Sequence, residues 1–154
     1  MPGAKNRACS SAGSKRSRAT RTPEPAGAPG VSTTGATTCN PSVPLRSPVS
    51  DPALAELLRC GVRAATNGNL RINVDGLPPG RYLVRLYVRS LDGSTNRWFG
   101  SQLEGRENGV FDPGKAGQWQ RMRIGRVTVS DGSLQIDLSH ARRLLVSGLE
   151  IWAG

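Results

Sequence analysis

Two aromatic side chains, Tyr87 and Trp98, are the residues of this 154-residue sequence best suited to recognition chemistry. The alternation of residues 81–89 predicts a strand that carries Tyr87 on the same face as two arginines, and a polar loop then leads to Trp98. An aromatic ring can stack on the C–H face of a sugar ring while polar neighbours pair with its hydroxyl groups. The predicted ligand-binding patch consists of Tyr87, Trp98, Arg85, Arg89, Asp92 and Asn96.

The same part of the sequence allows two other interpretations. Aromatic side chains of a small β domain often fill the core or cover a sheet edge, and this is the expected role of Trp119 and Trp152. Several arginines could instead form a basic face that meets phosphate groups. The intervening acidic residues weaken that interpretation, so nucleic acid is not the expected partner. The arginines concerned are Arg71, Arg85, Arg89 and Arg97.

Catalytic signatures are scarce. His140 is the only histidine and lies in a predicted turn, which argues against a histidine-based metal site or a Ser-His-acid triad. The glycines lie between predicted strands without a following Lys-Ser or Lys-Thr pair, so no phosphate-binding loop is expected. A pair of carboxylates suited to glycoside cleavage stays open, because ten carboxylates follow residue 48. We expect a noncatalytic protein without a cofactor, and the sequence assigns no metal ligands.

Composition divides the chain near residue 48. Residues 1–50 contain no aromatic side chain and seven of the eleven prolines, so they lack the apolar surface that offsets the entropy of folding. Much of the net charge of +10 also lies there, as seven basic residues against one acidic residue. We predict a disordered basic tail over residues 1–48 and one folded domain over residues 49–154. The basic run at residues 15–18 could contact nucleic acid, but a solvated tail is expected.

Neither a membrane-spanning segment nor a secretory signal is expected, because no apolar run reaches the necessary length. The three cysteines, Cys9, Cys39 and Cys60, are odd in number and show no spacing typical of a metal site or a disulfide framework. Cys60 is predicted to be a small buried apolar residue rather than a reactive one.

The folded part is predicted to be all-β after one short helix. Asp51 is a suitable N-cap and Pro52 suits the first helical position, so a helix is expected over residues 53–59. Beyond it the apolar period is two, and turn signals recur at roughly the 8–12-residue spacing of an antiparallel β-sandwich or jelly roll.

One segment, VTVSDGSLQIDL (Val127–Leu138), is interpreted as a tight hairpin. Asp131-Gly132 suits a two-residue type I′ turn between antiparallel strands. That register would pair Arg126 with Asp137 on the outer face. The residues predicted to face the core are Val127, Val129, Leu134 and Ile136.

Five phrases occur in order along the folded part: GLPPGRYLVRLYV, QLEG, GKAGQW, VTVSDGSLQIDL and SGLEIW. Together they make residues 52–154 resemble a malectin-like or carbohydrate-binding-module-like domain of the galactose-binding jelly-roll type. The resemblance implies a noncatalytic β-sandwich that binds a glycan and, in some relatives, a structural calcium ion. No binding residue is carried over, because Arg89-Ser90-Leu91-Asp92 stands where relatives often place aromatic and acidic side chains.

The sequence therefore favours a carbohydrate-binding accessory module. By resemblance it would be extracellular or at the cell surface, with a glycan or polysaccharide as ligand and a linked or partner glycoside hydrolase. The alternative is a structural or protein-interaction β-sandwich that has no sugar site. A third hypothesis is association with nucleic acid through the basic tail.

Overall fold

The computed structural model describes residues 24–25, 30–41, 43, 45–46, 49–91 and 98–154. These residues form eleven strands and one short helix, so the predicted all-β class is confirmed. The helix is α1 (Pro52–Arg59). The strands are β1 (Glu24–Pro25), β2 (Val31–Thr33), β3 (Ala36–Cys39), β4 (Cys60–Arg63), β5 (Leu70–Asp75), β6 (Gly80–Ser90), β7 (Phe99–Leu103), β8 (Arg106–Phe111), β9 (Trp119–Val129), β10 (Ser133–Ser139) and β11 (Leu144–Ala153).

The strands form two antiparallel sheets that make a β-sandwich. The first sheet has the order β3-β4-β11-β6-β9, and β1 pairs with β11 beside this path. The second sheet has the order β2-β5-β10-β7-β8. Strand β9 is therefore an edge of the first sheet, and β8 is an edge of the second.

The core lies between the two sheets and consists of their inward-facing apolar side chains. Along β6 the alternate residues Tyr82, Val84, Leu86 and Val88 are buried, as predicted. Full burial of one such side chain stabilises the fold by about 1.5–3 kcal/mol. The second sheet supplies the opposite wall with Leu70, Ile72, Val74, Leu134, Ile136 and Leu138.

Helix α1 begins where the sequence predicts. The side chain of Asp51 accepts a hydrogen bond of 3.0 Å from the backbone N–H of Ala53, and Pro52 is the first helical residue. This arrangement satisfies one N–H that the helix itself cannot pair. Leu58 is fully buried and anchors the helix beside the first sheet.

The predicted hairpin over residues 127–138 is wrong, because its two strands belong to different sheets. Strand β9 pairs with β6, whereas β10 pairs with β5 and β7. The connection is a corner in which Gly132 has a φ of 82° and the Asp131 carboxylate accepts a hydrogen bond of 3.1 Å from Ser133 N–H. Asp131 itself is not at positive φ, so a type I′ turn is not formed.

The ion pair predicted within that hairpin is also absent. Arg126 lies opposite Leu83 of β6. Asp137 pairs instead with Arg71 of β5, at 2.7 Å. The four predicted core residues nevertheless pack in or against the core, because a corner between facing sheets needs the same inward alternation as a hairpin.

The N-terminal part departs from prediction in two ways. Cys39 and Cys60 form a disulfide between β3 and β4, so the interpretation of Cys60 as a buried apolar thiol is wrong. The predicted boundary at residue 48 is wrong for residues 31–33 and 36–39, which form strands in both sheets. Short polar strands lack an apolar pattern of their own and are held by their partners. The prediction of disorder for residues 1–23 falls outside the described residues.

Candidate functional site

Tyr87 lies on the outer side of the first sheet, but it is not open to a ligand. Its side chain is only 7% exposed, and its hydroxyl donates a hydrogen bond of 2.9 Å to Oε2 of Glu150. Burial, together with the neighbouring Glu150 carboxylate, raises the pKa of Tyr87 to about 12. The prediction that Tyr87 offers a stacking ring is therefore wrong.

Arg89, on the same side of β6, has a structural role. It is 4% exposed, and its guanidinium donates hydrogen bonds to the backbone carbonyls of Leu58, at 3.2 Å, and Val43. Burial lowers the pKa of Arg89. Because the Leu58 carbonyl lies in the last turn of α1, this contact caps the helix, and Arg89 is not available to a ligand.

Arg85 is half-buried and lies between two charged residues in register. Glu150 of β11 faces it on one side, and Arg123 of β9 faces it on the other. The Glu150 carboxylate is engaged by Arg121, through Nε at 2.9 Å and Nη2 at 2.7 Å. This pairing raises the pKa of Arg121.

Trp98 is the predicted site residue that does lie at the surface. It precedes β7 directly and is 49% exposed, whereas the next residue, Phe99, is buried in the core. Alternation therefore directs Trp98 to the outer side of the second sheet. Gly100 follows on the same side, and Val110, 64% exposed, lies opposite Gly100 on β8. Within the described residues, Trp98 and Val110 are the exposed large hydrophobic side chains.

The outer side of the second sheet surrounds these two residues with hydrogen-bonding groups. Ser139 pairs with Gly100, and its Oγ lies 2.8 Å from where a Cβ on Gly100 would stand. The next row crosses four strands, from Glu107 through Gln102 and Asp137 to Arg71. Glu107, Gln102 and Arg71 are exposed, and the first two lie nearest the β8 edge of the sheet. We name Trp98, Gly100, Gln102, Val110 and Ser139 the tryptophan surface.

The six predicted site residues do not form one patch. Arg85, Tyr87 and Arg89 lie on the outer side of the first sheet, whereas Trp98 lies on the outer side of the second. Asp92 and Asn96 fall outside the described residues. Sequence reasoning missed Val110 and Ser139, because only strand pairing brings them next to Gly100. The one local sign of an open surface was Gly100 itself, a glycine at an outward position of β7.

The described residues contain neither a metal-binding cluster nor a membrane-spanning helix. In the part of the chain that the structure describes, no group of three or more His, Cys, Asp or Glu side chains could hold a metal ion. The described residues therefore contain no such cluster for the calcium ion that the resemblance implies. No helix within the same residues is long and apolar enough to cross a membrane.

The sandwich is the fold of malectin-like and carbohydrate-binding-module-like jelly-roll domains, as solved structures show. No protein-family model matches the chain, and no curated protein matches its sequence. A family 35 carbohydrate-binding module from an environmental isolate superposes with a TM-score of 0.52 at 12% identity, covering 84% of this chain and 91% of that one.

Two further structures belong to larger proteins. The extracellular domain of ANXUR1 from Arabidopsis thaliana gives a TM-score of 0.57 at 14% identity over 76% of this chain and 38% of that one. The GH26-CBM35 β-(1,4)-mannanase of Podospora anserina gives a TM-score of 0.52 at 14% identity, over 81% of this chain and 28% of that one. The chain thus spans well under half of either protein. At these identities the likeness establishes the fold alone.

Proposed function

We propose that this chain is a noncatalytic carbohydrate-binding module that holds a glycan on the tryptophan surface. The observation that carries the proposal is the exposed ring of Trp98 beside Gly100, which itself has no side chain and lies directly opposite the exposed Val110. An exposed aromatic ring next to a flat stretch of sheet can take the C–H face of a sugar ring. Exposed apolar side chains that lie together mark a binding surface more often than exposed apolar side chains that are scattered singly.

The polar groups beside the ring suit the hydroxyl groups of a neutral saccharide. The exposed Gln102 amide and the Ser139 hydroxyl can each donate and accept, which is what an uncharged polyol requires. Arg71 and Asp137 are already paired, at 2.7 Å, so neither of these two side chains presents an uncompensated charge to a ligand. Neutral polysaccharides are accordingly the proposed ligands of this surface.

Two further expectations belong to the same proposal. The structural neighbours include a family 35 carbohydrate-binding module and a mannanase named for such a module, which supports a module working beside a linked or partner glycoside hydrolase. The Cys39–Cys60 disulfide supports an oxidising location, such as the cell exterior, because reducing compartments keep thiols unpaired.

Affinity electrophoresis in gels that contain galactomannan, xylan, galactan or mixed-linkage β-glucan tests the proposal. We expect at least one polymer to retard the protein, and Trp98→Ala to weaken retention about tenfold, equivalent to about 1.4 kcal/mol. Arg85→Gln, on the opposite sheet, is the control and should leave retention unchanged. Absence of retention on every neutral polymer, or retention that Trp98→Ala does not weaken, would refute the tryptophan surface as a glycan site.

A protein-interaction sandwich is the second candidate, and the position of Val110 favours it. Val110 lies on the edge strand β8, whose outer backbone groups could pair with an added strand of another protein. That function predicts a partner whose binding is weakened by proline at Val110 and is unaffected by added glycans.

A further inference from the structure

The outer side of the first sheet carries six arginines on two neighbouring strands, and five of them remain once the buried Arg89 is set aside. In β6 they alternate with the buried residues of the core, so their side chains lie on the outer face. In β9 a bulge at Ile124 keeps Arg123 and Arg126 on the same outer side although they are three residues apart. We name this set the arginine face: Arg81, Arg85, Arg121, Arg123 and Arg126.

The register brings like charges together on this face. Arg85 and Arg123 are directly opposite each other across β6 and β9. Directly opposed like charges destabilise an antiparallel pair. The second sheet differs, since its Arg71 faces Asp137 and pairs with it at 2.7 Å.

One carboxylate cannot neutralise the arginine face. Glu150 is the acidic residue that strands β6, β9 and β11 contribute, and it is 1% exposed. Its Oε1 accepts from Arg121 at 2.7 and 2.9 Å and from Trp152 Nε1 at 3.3 Å, and its Oε2 accepts from Tyr87. Within the described residues, Arg81, Arg85, Arg123 and Arg126 form no ion pair with a carboxylate.

We propose that the arginine face binds an anionic polysaccharide, one that carries sulfate or carboxylate groups. Guanidinium groups pair with such oxyanions through two parallel hydrogen bonds, and a bridging anion would relieve the Arg85–Arg123 repulsion. An apolar strip adjoins the charges, because Leu83 and the partly exposed Trp152 lie in the same row as Arg126. Sugar C–H groups can rest on that strip while the arginines take the acidic groups.

The shape of this surface favours a polysaccharide over duplex nucleic acid. Proteins usually enter a DNA groove with a helix or a two-stranded ribbon. The arginines here project instead from the side of a sheet that includes the edge strand β9. A chain polymer can lie along the exposed strands, where the side chains of alternate residues are roughly 6.8 Å apart.

The test uses the full chain, with heparin as the sulfated polymer, polygalacturonate as the carboxylated one, and dextran as the neutral one. The variant Arg85→Gln/Arg123→Gln removes the opposed pair. The matched control Arg106→Gln/Arg142→Gln removes two exposed arginines away from the arginine face, so the change in net charge is the same. We expect the apparent Kd for heparin, polygalacturonate or both to rise about tenfold in the first variant and less than about twofold in the control at about 0.1 M salt.

Four results would overturn the proposal. They are no binding to either anionic polymer, equal losses in the two double variants, equally strong binding to dextran, and tighter binding to DNA of matched length that the Arg85→Gln/Arg123→Gln change abolishes. The basic tail is checked with Lys15→Gln/Arg16→Gln/Arg18→Gln, which should retain most of the binding; complete loss there would assign the affinity to the tail instead.

The two proposed surfaces fail or succeed separately. Trp98→Ala should abolish retention on neutral polymers and leave heparin or polygalacturonate binding unchanged. Arg85→Gln/Arg123→Gln should do the opposite, and it should fold as stably as the parent or more so, because it removes a like-charge contact. Loss of both activities in either variant would contradict the assignment of two sites.

Discussion

The hydroxyl of Tyr87 donates a hydrogen bond of 2.9 Å to Oε2 of Glu150 across strands β6 and β11. Glu150 is almost completely buried, so its carboxylate oxygens take their hydrogen bonds from surrounding protein donors. Arg121 and Trp152 serve the other oxygen, Oε1. The contact therefore turns a residue that looks like a surface aromatic into part of a buried polar network.

Removing that hydroxyl should weaken the fold. Tyr87→Phe leaves Oε2 of a buried carboxylate without this donor, at an expected cost of about 1–3 kcal/mol in the free energy of unfolding. Urea denaturation followed by tryptophan fluorescence measures the change. Retention on neutral polysaccharides, tested on the folded variant, should stay the same. A variant as stable as the parent would show that Arg121 and Trp152 suffice for Glu150.

The same contact predicts a loss of stability at alkaline pH. The pKa of Tyr87 is about 12 in the folded protein, above the ordinary value of about 10 in the unfolded chain. The unfolded state therefore loses its proton first, so the stabilisation is complete below pH 10 and disappears as the pH rises from 10 to 12.

Denaturation at several pH values tests this prediction. Tyr87→Phe should flatten the decline in unfolding free energy between pH 10 and 12, although it should not abolish it. Burial also raises the pKa of Tyr82, which donates a hydrogen bond to the Pro78 carbonyl and is unchanged in the variant. Identical slopes in parent and variant would contradict the role assigned to Tyr87.

The Cys39–Cys60 disulfide should stabilise the fold. It ties β3 to β4 across a sequence separation of 21 residues, and closing a loop of that size stabilises a domain by about 3 kcal/mol. We expect Cys39→Ser/Cys60→Ser to lower the unfolding free energy by about 3 kcal/mol. The unfolding free energy of this variant should then be insensitive to reductant. Cys9→Ser is the matched control and should keep the parent's response to dithiothreitol. A parent insensitive to reductant would contradict the bond.

The two sheets are linked near the bulge in β9 by a hydrogen bond from Asn108 to Ile124, beside Gly125. Asn108 Nδ2 donates a hydrogen bond of 2.7 Å to the carbonyl of Ile124, and a Cβ at residue 125 would overlap this amide. Gly125→Ala should therefore cost about 1–3 kcal/mol of unfolding free energy.

A double-mutant cycle separates this overlap from other effects of alanine. Once Asn108→Ala has removed the amide, adding Gly125→Ala should cost much less than it does in the parent. Thermal or urea denaturation of the four proteins supplies the coupling energy. Strictly additive losses would place the effect of Gly125→Ala elsewhere.

The wrongly predicted hairpin shows what a local sequence pattern can predict: the chain reversal and the alternation, but not the strand pairing. Asp131-Gly132 does mark a reversal of the chain, and the residues on both sides of it do alternate between core and surface. Whether the second strand pairs with the first or crosses to the facing sheet depends on the partners that β6, β5 and β7 offer. Those partners lie far away in the chain, so the local pattern is the same in both cases.

The candidate site illustrates the same limit for surfaces. Alternation correctly puts Tyr87 and Arg89 on the outer side of the sheet, and both are nevertheless buried there. Residue Val43 and helix α1 reach Arg89, while Glu150 holds Tyr87. Within the described residues, no comparable contact buries Trp98. The sequence does not distinguish the exposed Trp98 from the buried Tyr87, because both are predicted to face outward.

Residue order alone was enough to predict β6 with its inward face, the alternation on both sides of Asp131-Gly132, and the start of α1 at Asp51 and Pro52. These features depend on neighbours within a few residues: side-chain alternation, turn propensity and capping. Tertiary contacts were needed to assign each strand to its sheet, pair Cys39 with Cys60 and cover Tyr87 and Arg89. They also set the arginine face and the tryptophan surface on opposite sides of the sandwich. Such outcomes depend on groups distant in sequence that meet only after folding.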